Sequence, residues 1–494
     1  MRTRSALELI NTIENNCDIE FLRIGDFNAW PLVRLSIWSE LVTPENELAI
    51  SKWKLIGQQN LTTIINYASD QFLLKIPNRL KFLMYRWARY SEILMIGRPS
   101  HAQFVVGFEN EFDRVLDPIA ETLQSKFVVS SAVLGANTSR KSDKTRLRLV
   151  FDGPTTKITG LTESGLMNEL ERHNLNLTSL KARFSQSTDL FWRGFYSFNQ
   201  IVNRSTVLKK VFVSVWYSPD MIGIIASARQ ANIFVTDVQH GLDPTNAMGS
   251  WRISKIPIGG YELVPDRFWR WGSDIGETLN HTINKSDDHS SVVGGYPWIH
   301  FWHSLRQTKI DPDENTPNNS YKRQLLFPIR SPYGESKERI PDFLLDFLRI
   351  PHPDTIVVLR LHPNDIYGYE YLKHRLSGQI QTAYRISDAS SDMYQSIAES
   401  SHLLTAFSAV CIEGLAFGVG ILLFGADAFV NYKTLIEDRT FLWTNGNLED
   451  LENFMNTSHN ANSKTYDFIV SSEDLTTSTA NKLVSLAKMR KPFR

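Results

Sequence analysis

The segment at residues 405–424 constrains the fold of this chain more than any other stretch. It reads as the end of a buried strand, a turn of small residues, the start of a helix and a second buried strand. Ser408 opens the predicted helix, and Glu413, the only charged residue of the segment, lies about one and a half turns in, at 3.6 residues per turn. An open α/β sheet presents a helix N-terminus to an anionic ligand in this way, and a nearby carboxylate suits ribose hydroxyls.

Short, continuous apolar runs alternate with helical segments over most of the chain. Continuous runs are typical of parallel strands that are covered on both faces. The candidate strands lie at 104–108, 127–131, 147–151, 211–215, 233–238, 324–327, 355–361, 403–405 and 420–424. A helical, Ser- and Asn-rich insertion fills about 160–208.

A polar, break-rich stretch at 305–321 divides the strands into two sets and is the best linker in the chain. The pattern predicts an α/β protein with two Rossmann-like, doubly wound domains that face a cleft. We expect a helical N-terminal extension at 1–98, a first Rossmann-like domain at 99–304 and a second Rossmann-like domain at 322–494.

Charge and cysteine content exclude several classes of protein. The 494 residues contain 53 basic and 53 acidic side chains, so the net charge gives no sign of nucleic-acid binding. The two cysteines, Cys17 and Cys411, are too few and too far apart for a disulfide framework or a metal cluster. The chain shows no signal peptide, and no run approaches the roughly 20 apolar residues of a membrane span. We expect a cytoplasmic protein.

The stretch at 71–91 is basic and aromatic and contains no acidic residue. Its cationic side chains are Lys75, Arg79, Lys81, Arg86 and Arg89. Such a segment can lie on an anionic membrane surface, which would place the protein peripherally on the inner face of the membrane. The alternative is a helix that packs on the next domain with solvated basic side chains.

Polar residues follow the predicted strand at 233–238. Gln239 and His240 precede a turn at Gly241, which places an amide and an imidazole at the edge of the sheet. His240 could donate to a phosphate or act as a general acid or base. The alternative is a turn histidine that bonds to backbone.

A cation and an imidazole end the predicted strand at 355–361. Strand alternation puts Arg360 and His362 on the same side, and Pro363 stops the strand. Such a pair suits a diphosphate or a phosphodiester. Arg330 and Ser331 end a neighbouring strand and are expected at the same edge.

Three acidic residues follow the predicted strand at 104–108. Glu109 and Glu111 are candidates for a catalytic base or nucleophile. Asp113 has the alternative of capping a helix that starts at Arg114. No Asp-x-Asp motif stands at a predicted strand end, so we expect no metal site.

Five segments, taken in order, resemble those of bacterial capsule and O-antigen glycosyltransferases of the GT-B fold. They are 237–241, 265–272, 293–297, 360–363 and 408–413. The resemblance covers about 100–445 and is strongest to transferases that use CMP-Kdo or CMP-sialic acid. It implies that His362, Pro363 and Ser408 contact the phosphate or base of the nucleotide and that Glu413 contacts the ribose. It implies no cofactor beyond a nucleotide-sugar donor, which would be CMP-linked.

The function implied is transfer of a Kdo-like or sialic-acid-like sugar from a CMP-sugar to a growing surface polysaccharide or lipid-linked acceptor. Polyol-phosphate transferases that use CDP-glycerol or CDP-ribitol have a similar arrangement of His-Gly and His-Pro motifs. They usually carry a Trp before His-Gly and an Arg after His-Pro, where this chain has Gln239 and Asn364. A third alternative is a catalytically silent binding protein of polysaccharide assembly.

Overall fold

The structure is a computed structural model that describes most of the chain between Thr3 and Thr457. The described residues are 3–42, 90–97, 102–103, 112–134, 145–147, 154–240, 255–257, 260–271, 288–296, 298–299, 321–329, 339–362, 368–378, 380–387, 393–406, 408, 410–457 and 485. The predicted strand at 104–108, residues 148–151 of the predicted strand at 147–151, residues 71–89 of the basic stretch and residues 305–320 of the linker lie outside them.

The first half of the chain forms a seven-stranded parallel sheet and two short antiparallel pairs. In chain order its strands are β1 (Arg23–Ile24), β2 (Phe27–Asn28), β3 (Ile93–Gly97), β4 (Ala102–Gln103), β5 (Phe112–Asp113), β6 (Val129–Leu134), β7 (Thr145–Leu147), β8 (Lys210–Ser214), β9 (Phe234–Val238), β10 (Arg267–Arg270) and β11 (Ser290–Val293). The order across the large sheet is β11-β10-β9-β8-β3-β6-β7. Renumbered from one along the chain, this is the Rossmann order 3-2-1-4-5-6 with a seventh strand added at the edge.

Six helices accompany these strands in the described residues. They are α1 (Thr3–Asn16), α2 (Trp30–Val42), α3 (Asp117–Gln124), α4 (Leu166–Arg172), α5 (Leu177–Val202) and α6 (Pro219–Gln230). Helices α5 and α6 approach closely because each has a glycine at the contact. A Cβ on Gly194 would lie 1.9 Å from the Asp220 carbonyl oxygen, and one on Gly223 would lie 2.0 Å from that of Phe191.

Helices α1 and α2 share the core of the first domain. Trp30 donates from Nε1 to Glu14 at 2.6 Å, and Arg183 of α5 pairs with Glu40 of α2 at 2.7 Å. Side chains of both helices lie in the same apolar cluster as β8 and β9. The residues predicted as a separate extension are therefore, over 3–42, part of this core. The exact domain boundaries stay a prediction.

The second half forms a six-stranded parallel sheet. Its strands are β12 (Arg323–Pro328), β13 (Thr355–Arg360), β14 (Ala383–Ser387), β15 (His402–Thr405), β16 (Gly420–Phe424) and β17 (Leu442–Thr444). Its helices are α7 (Asp342–Arg349), α8 (Gly368–Arg375), α9 (Met393–Ala398), α10 (Val410–Ala416), α11 (Ala426–Asn431), α12 (Lys433–Glu437) and α13 (Leu448–Asn456). The order β14-β13-β12-β15-β16-β17 is again 3-2-1-4-5-6 when renumbered along the chain.

The predicted fold class, α/β with two Rossmann-like domains, is confirmed by these two sheets. The first strand of the first sheet is β3 at Ile93–Gly97, within the stretch predicted as helical extension, and this expectation was wrong. Strands β10, β11, β14 and β17 were not predicted. Strands β11, β14 and β17 are edge strands, where burial on both faces is incomplete and the apolar run is shorter. Strand β10 is mostly buried, but Arg267 and Arg270 flank its two apolar residues, so no continuous apolar run marks it.

The two domains share a hydrophobic core. Trp271, Tyr296 and Trp298 follow strands of the first sheet, yet they pack in one buried cluster with residues of α9, α10 and β16. Each of the three is 1% exposed or less. Residues that leave the first sheet therefore complete the core of the second domain.

Candidate functional site

Each sheet has one topological switch point, the place where ligands bind in open α/β folds. In the first sheet it lies between β3 and β8, and in the second between β12 and β15. Arg114 lies just before α3, in the connection that leaves β3. Glu413 lies on α10, which follows β15. The negative charge of Glu413 helps to raise the pKa of Arg114, so the connection that leaves β3 passes near the helix that follows β15.

Glu413 is buried, with 2% of its surface exposed, and its two carboxylate oxygens differ in the hydrogen bonds that they accept. Tyr394 donates its hydroxyl to Oε1 at 2.8 Å, and Tyr296 reaches the same oxygen at 3.5 Å. Among the described residues, none donates a hydrogen bond to Oε2. The carboxylate is therefore anchored at one oxygen, and its second oxygen is left for a further donor.

The two tyrosines form a chain of donors. Their hydroxyl oxygens are 2.7 Å apart. When Tyr394 donates its single hydroxyl proton to Glu413, its oxygen is free to accept from Tyr296, whose hydroxyl also lies 3.5 Å from the same carboxylate oxygen. Burial, followed by the negative charge of Glu413, raises the pKa of both tyrosines above the usual value of 10.0. Both hydroxyls therefore stay protonated donors at neutral pH.

The ring of Tyr296 is fixed by Trp271, which stacks on it with centroids 4.0 Å apart and planes 14° apart. Trp271 is held in turn by Gln239. The Gln239 side-chain oxygen accepts from the Trp271 amide at 2.9 Å, and its backbone carbonyl accepts from Nε1 at 2.8 Å. A connected path thus runs from Gln239, at the end of β9, to Glu413 in the second domain.

Arg114 adds positive charge to this cluster. Burial alone would lower its pKa, but the nearby Tyr394, Tyr296, Glu413 and Asp113 raise it above the usual range. No described residue accepts a hydrogen bond from its buried Nε. The guanidinium therefore balances the charge of Glu413 from across the domain boundary without a direct ion pair in the described residues.

Asp113 caps the turn that leads into α3. Its Oδ1 accepts from the amides of Val115 at 2.9 Å and Leu116 at 3.2 Å. The Asp113 amide in turn donates to Asp117 at 2.6 Å. The predicted N-cap of a helix from Arg114 was wrong, because the helix starts at Asp117 with Leu116 as its N-cap and no described side chain bonds to its first amides.

His240 is oriented by a tyrosine. Its Nε2 lies 3.1 Å from the hydroxyl of Tyr217, and both side chains are half-buried. If the hydroxyl donates, Nδ1 carries the ring proton; if it accepts, Nδ1 is unprotonated. Tyr217 follows β8, where Val215 takes the left-handed conformation at φ 58°. A β-branched residue rarely adopts it, and such outliers concentrate at functional sites.

Arg360 and His362 differ in exposure. Arg360 is 2% exposed and donates to the Ser387 hydroxyl at 3.5 Å across the β13–β14 pair. His362 is exposed. Both lie at the carboxyl end of β13, and their part in phosphate binding stays a prediction.

Ser408 begins α10 by capping it. Its Oγ accepts from the amide of Val410 at 3.3 Å, and its carbonyl accepts from the amide of Cys411 at 3.2 Å. The Cys411 thiol is buried in the core, and burial raises its pKa to about 12.

Six of the twelve predicted site residues have a described position, and the other six do not. Those outside the described residues are Glu109, Glu111, Gly241, Arg330, Ser331 and Pro363. The described residues contain no cluster of three His, Cys, Asp or Glu side chains that could hold a metal ion. They also contain no helix both long and apolar enough to cross a membrane.

Sequence reasoning missed Arg114, Tyr217 and Tyr394 as members of the site. Arg114 directly follows Asp113, which the sequence analysis had considered, so the segment was noticed but the basic residue was not. Tyr296 and Trp271 lie inside segments already singled out at 293–297 and 265–272. Nothing in the sequence around Tyr394 marks it.

Comparisons with known proteins give structural similarity alone. No family model and no curated protein matches the chain. UDP-GlcNAc 2-epimerase from Neisseria meningitidis, bound to UDP-GlcNAc, is 14% identical, with a TM-score of 0.49 over 80% of this chain and 100% of that one. The Methanocaldococcus jannaschii UDP-GlcNAc 2-epimerase, in complex with UDP-GlcNAc and UDP, is 11% identical, with a TM-score of 0.49 over 80% and 98%.

A third similar structure is the apo form of the lipopolysaccharide outer core galactosyltransferase WaaB. It is 12% identical, with a TM-score of 0.38 over 80% of this chain and 99% of that one. The strand orders of the two sheets support the fold assignment, which does not depend on these structural similarities.

Proposed function

We propose that this protein is a GT-B glycosyltransferase that binds a nucleotide sugar and transfers the sugar to a surface polysaccharide or a lipid-linked acceptor. The observation that carries the proposal is the buried carboxylate of Glu413, which follows the switch-point strand β15 and is bonded by one tyrosine from each domain. Glu413 keeps one oxygen without a donor among the described residues, next to the cationic Arg114. A ribose hydroxyl on Oε2 and an anionic phosphate near the guanidinium fit this arrangement.

In the proposed reaction, an acceptor hydroxyl attacks the anomeric carbon and the bond from that carbon to the phosphate oxygen breaks. The acceptor proton passes to a base, and the nucleotide leaves with its bonding electron pair. His240, oriented by Tyr217, is the described candidate for that base. Arg360 and His362 are the candidates for stabilising the charge on the departing phosphate.

A cytidine donor, CMP-linked, rests on the sequence resemblance. The similar epimerase structures contain UDP-GlcNAc and UDP, so uridine nucleotides belong in the same test. A polyol-phosphate transferase would instead require CDP-glycerol or CDP-ribitol. A silent binding protein would bind nucleotide without turnover on any acceptor.

The membrane partner rests on the basic stretch at 71–91. A soluble donor and a lipid-linked acceptor meet only at the membrane surface, so a cationic segment would bring the enzyme to its acceptor. The proposed location is therefore the inner face of the membrane, held peripherally.

The test is calorimetric binding of CMP, CDP, UDP, CMP-Kdo and UDP-GlcNAc to the wild type and to Glu413→Gln. Glutamine keeps the shape and the anchored oxygen but loses the charge and the Oε2 acceptor. We expect the substitution to weaken binding by roughly 1–3 kcal/mol, the scale for a hydrogen bond to a charged group. The matched control is Glu437→Gln, whose side chain is 63% exposed. Binding of no nucleotide by the wild type would refute the proposal, and equal affinity of wild type and E413Q would refute the role of Glu413.

A further inference from the structure

The hydrogen bonds that orient Glu413 come from both domains. Tyr394 lies on α9 of the second domain, whereas Tyr296 follows β11 of the first. Their hydroxyls are 2.7 Å apart, and 98 residues separate them in the sequence. The state of the carboxylate in one domain therefore depends on a group supplied by the other.

Both tyrosine rings are held independently of their hydroxyls. Tyr296 stacks on Trp271 at 4.0 Å, and Tyr394 meets Trp298 edge to face at 5.5 Å. Since these contacts use only the rings, a change to phenylalanine removes the hydroxyl and keeps the packing. The function of the hydroxyls can thus be separated from that of the rings.

We propose that Tyr394 and Tyr296 are positioning residues that fix the Glu413 carboxylate with Oε2 toward the nucleotide and thereby couple nucleotide affinity to contact between the domains. The inference rests on the proposed function, in which Glu413 holds the ribose. A carboxylate anchored at Oε1 does not have to be ordered when the ligand arrives, and this raises affinity. By linkage, the nucleotide strengthens the contact between the domains by the same factor.

The two hydroxyls differ in their expected contribution. Tyr394 bonds to the carboxylate directly at 2.8 Å, so Tyr394→Phe should weaken nucleotide binding about tenfold, which is 1.4 kcal/mol. Tyr296 acts mainly through Tyr394, so Tyr296→Phe should weaken it about threefold. The matched control is Tyr261→Phe. Tyr261 is a fully buried tyrosine whose hydroxyl donates to the Lys255 carbonyl at 3.1 Å, and this change should leave affinity unaltered.

A double-mutant cycle with E413Q separates positioning from general stability. If the tyrosines act through Glu413, Tyr296→Phe should have little further effect on affinity in the E413Q background. A purely structural role would give the same loss in both backgrounds. Calorimetry uses the nucleotide from the panel above that the wild type binds most tightly.

The outcomes distinguish this inference from the proposed function. The inference is supported if Tyr296→Phe and Tyr394→Phe each weaken nucleotide binding in the otherwise wild-type protein and have little effect in the E413Q protein. Wild-type affinity in both variants, or equal losses in both backgrounds, overturns it while leaving nucleotide binding intact. A wild type that binds no nucleotide overturns both.

Discussion

A buried lysine should give this protein a stability that rises between pH 7 and pH 10. Lys210 opens β8 and is 2% exposed, with its ammonium 4.5 Å from the centroid of the Phe234 ring. The pKa of Lys210 is lowered from 10.5 to about 8, mainly by burial and then by the charge of Arg267, while Asp266 opposes this shift in part. The perturbation we consider is Lys210→Met, which keeps the length of the side chain and removes the charge.

The sign follows from proton binding in the folded and unfolded states. Between about pH 8 and pH 10.5 the unfolded chain keeps the Lys210 proton while the folded protein has released it. The free energy of unfolding therefore rises with pH in this window. The gap between the two pKa values corresponds to about 3 kcal/mol in total, of which about 2.5 kcal/mol falls between pH 7 and pH 10. For a domain of this size that is about 5–10 °C in Tm.

The assay is thermal unfolding followed by circular dichroism at pH 7, 8, 9 and 10. The Tm of the wild type minus that of K210M should grow by the stated amount across this series, because other titrating groups cancel in the difference. Lys209→Met is the matched control, since Lys209 is the preceding residue and is exposed. Its difference from the wild type should stay flat. A difference for K210M that is equally flat would refute the reasoning.

Two further predictions concern function. His362→Ala should lower turnover at saturating donor at least about tenfold, because it removes a stabiliser of leaving-group charge; the exposed His374→Ala is the control, and near-normal turnover in a folded H362A protein would contradict the role. The wild type should co-sediment with anionic liposomes at low salt and lose this binding as salt rises. Arg86→Glu with Arg89→Glu should abolish co-sedimentation, and the charge-keeping R86K with R89K should retain it; a wild type that ignores anionic liposomes at low salt would exclude membrane docking.

The central strands of both sheets were predictable from sequence. Strands β8, β9, β12, β13 and β16 are covered on both faces, so nearly every residue must be apolar, and a continuous apolar run marks them. Strand β3 has the same pattern but was assigned to the helical extension, because it directly follows the basic stretch at 71–91. The edge strands β14 and β17 were missed, since strands with a solvated side carry mixed residues.

Part of the candidate site could also be predicted from the sequence. A parallel sheet brings the carboxyl ends of its strands to one edge, so polar residues that follow strands belong to the same region. This rule singled out Gln239, His240, Arg360 and Glu413, and their binding and catalytic roles stay predictions. Asp113 was predicted to cap a helix from Arg114, because a short acidic side chain before a helix can accept backbone amides. The helix starts later, at Asp117, and Asp113 instead accepts from the amides of Val115 and Leu116 in the preceding turn.

The contacts that orient the site were decided by tertiary structure alone. Tyr296 and Glu413 are 117 residues apart, and the Tyr296–Tyr394 hydrogen bond crosses between domains. Periodicity reports which side chains are buried, but it does not report which buried side chains meet. That depends on how two sheets, each with its own switch point, pack against each other, and only there do two tyrosine hydroxyls and the charge of Arg114 converge on one carboxylate.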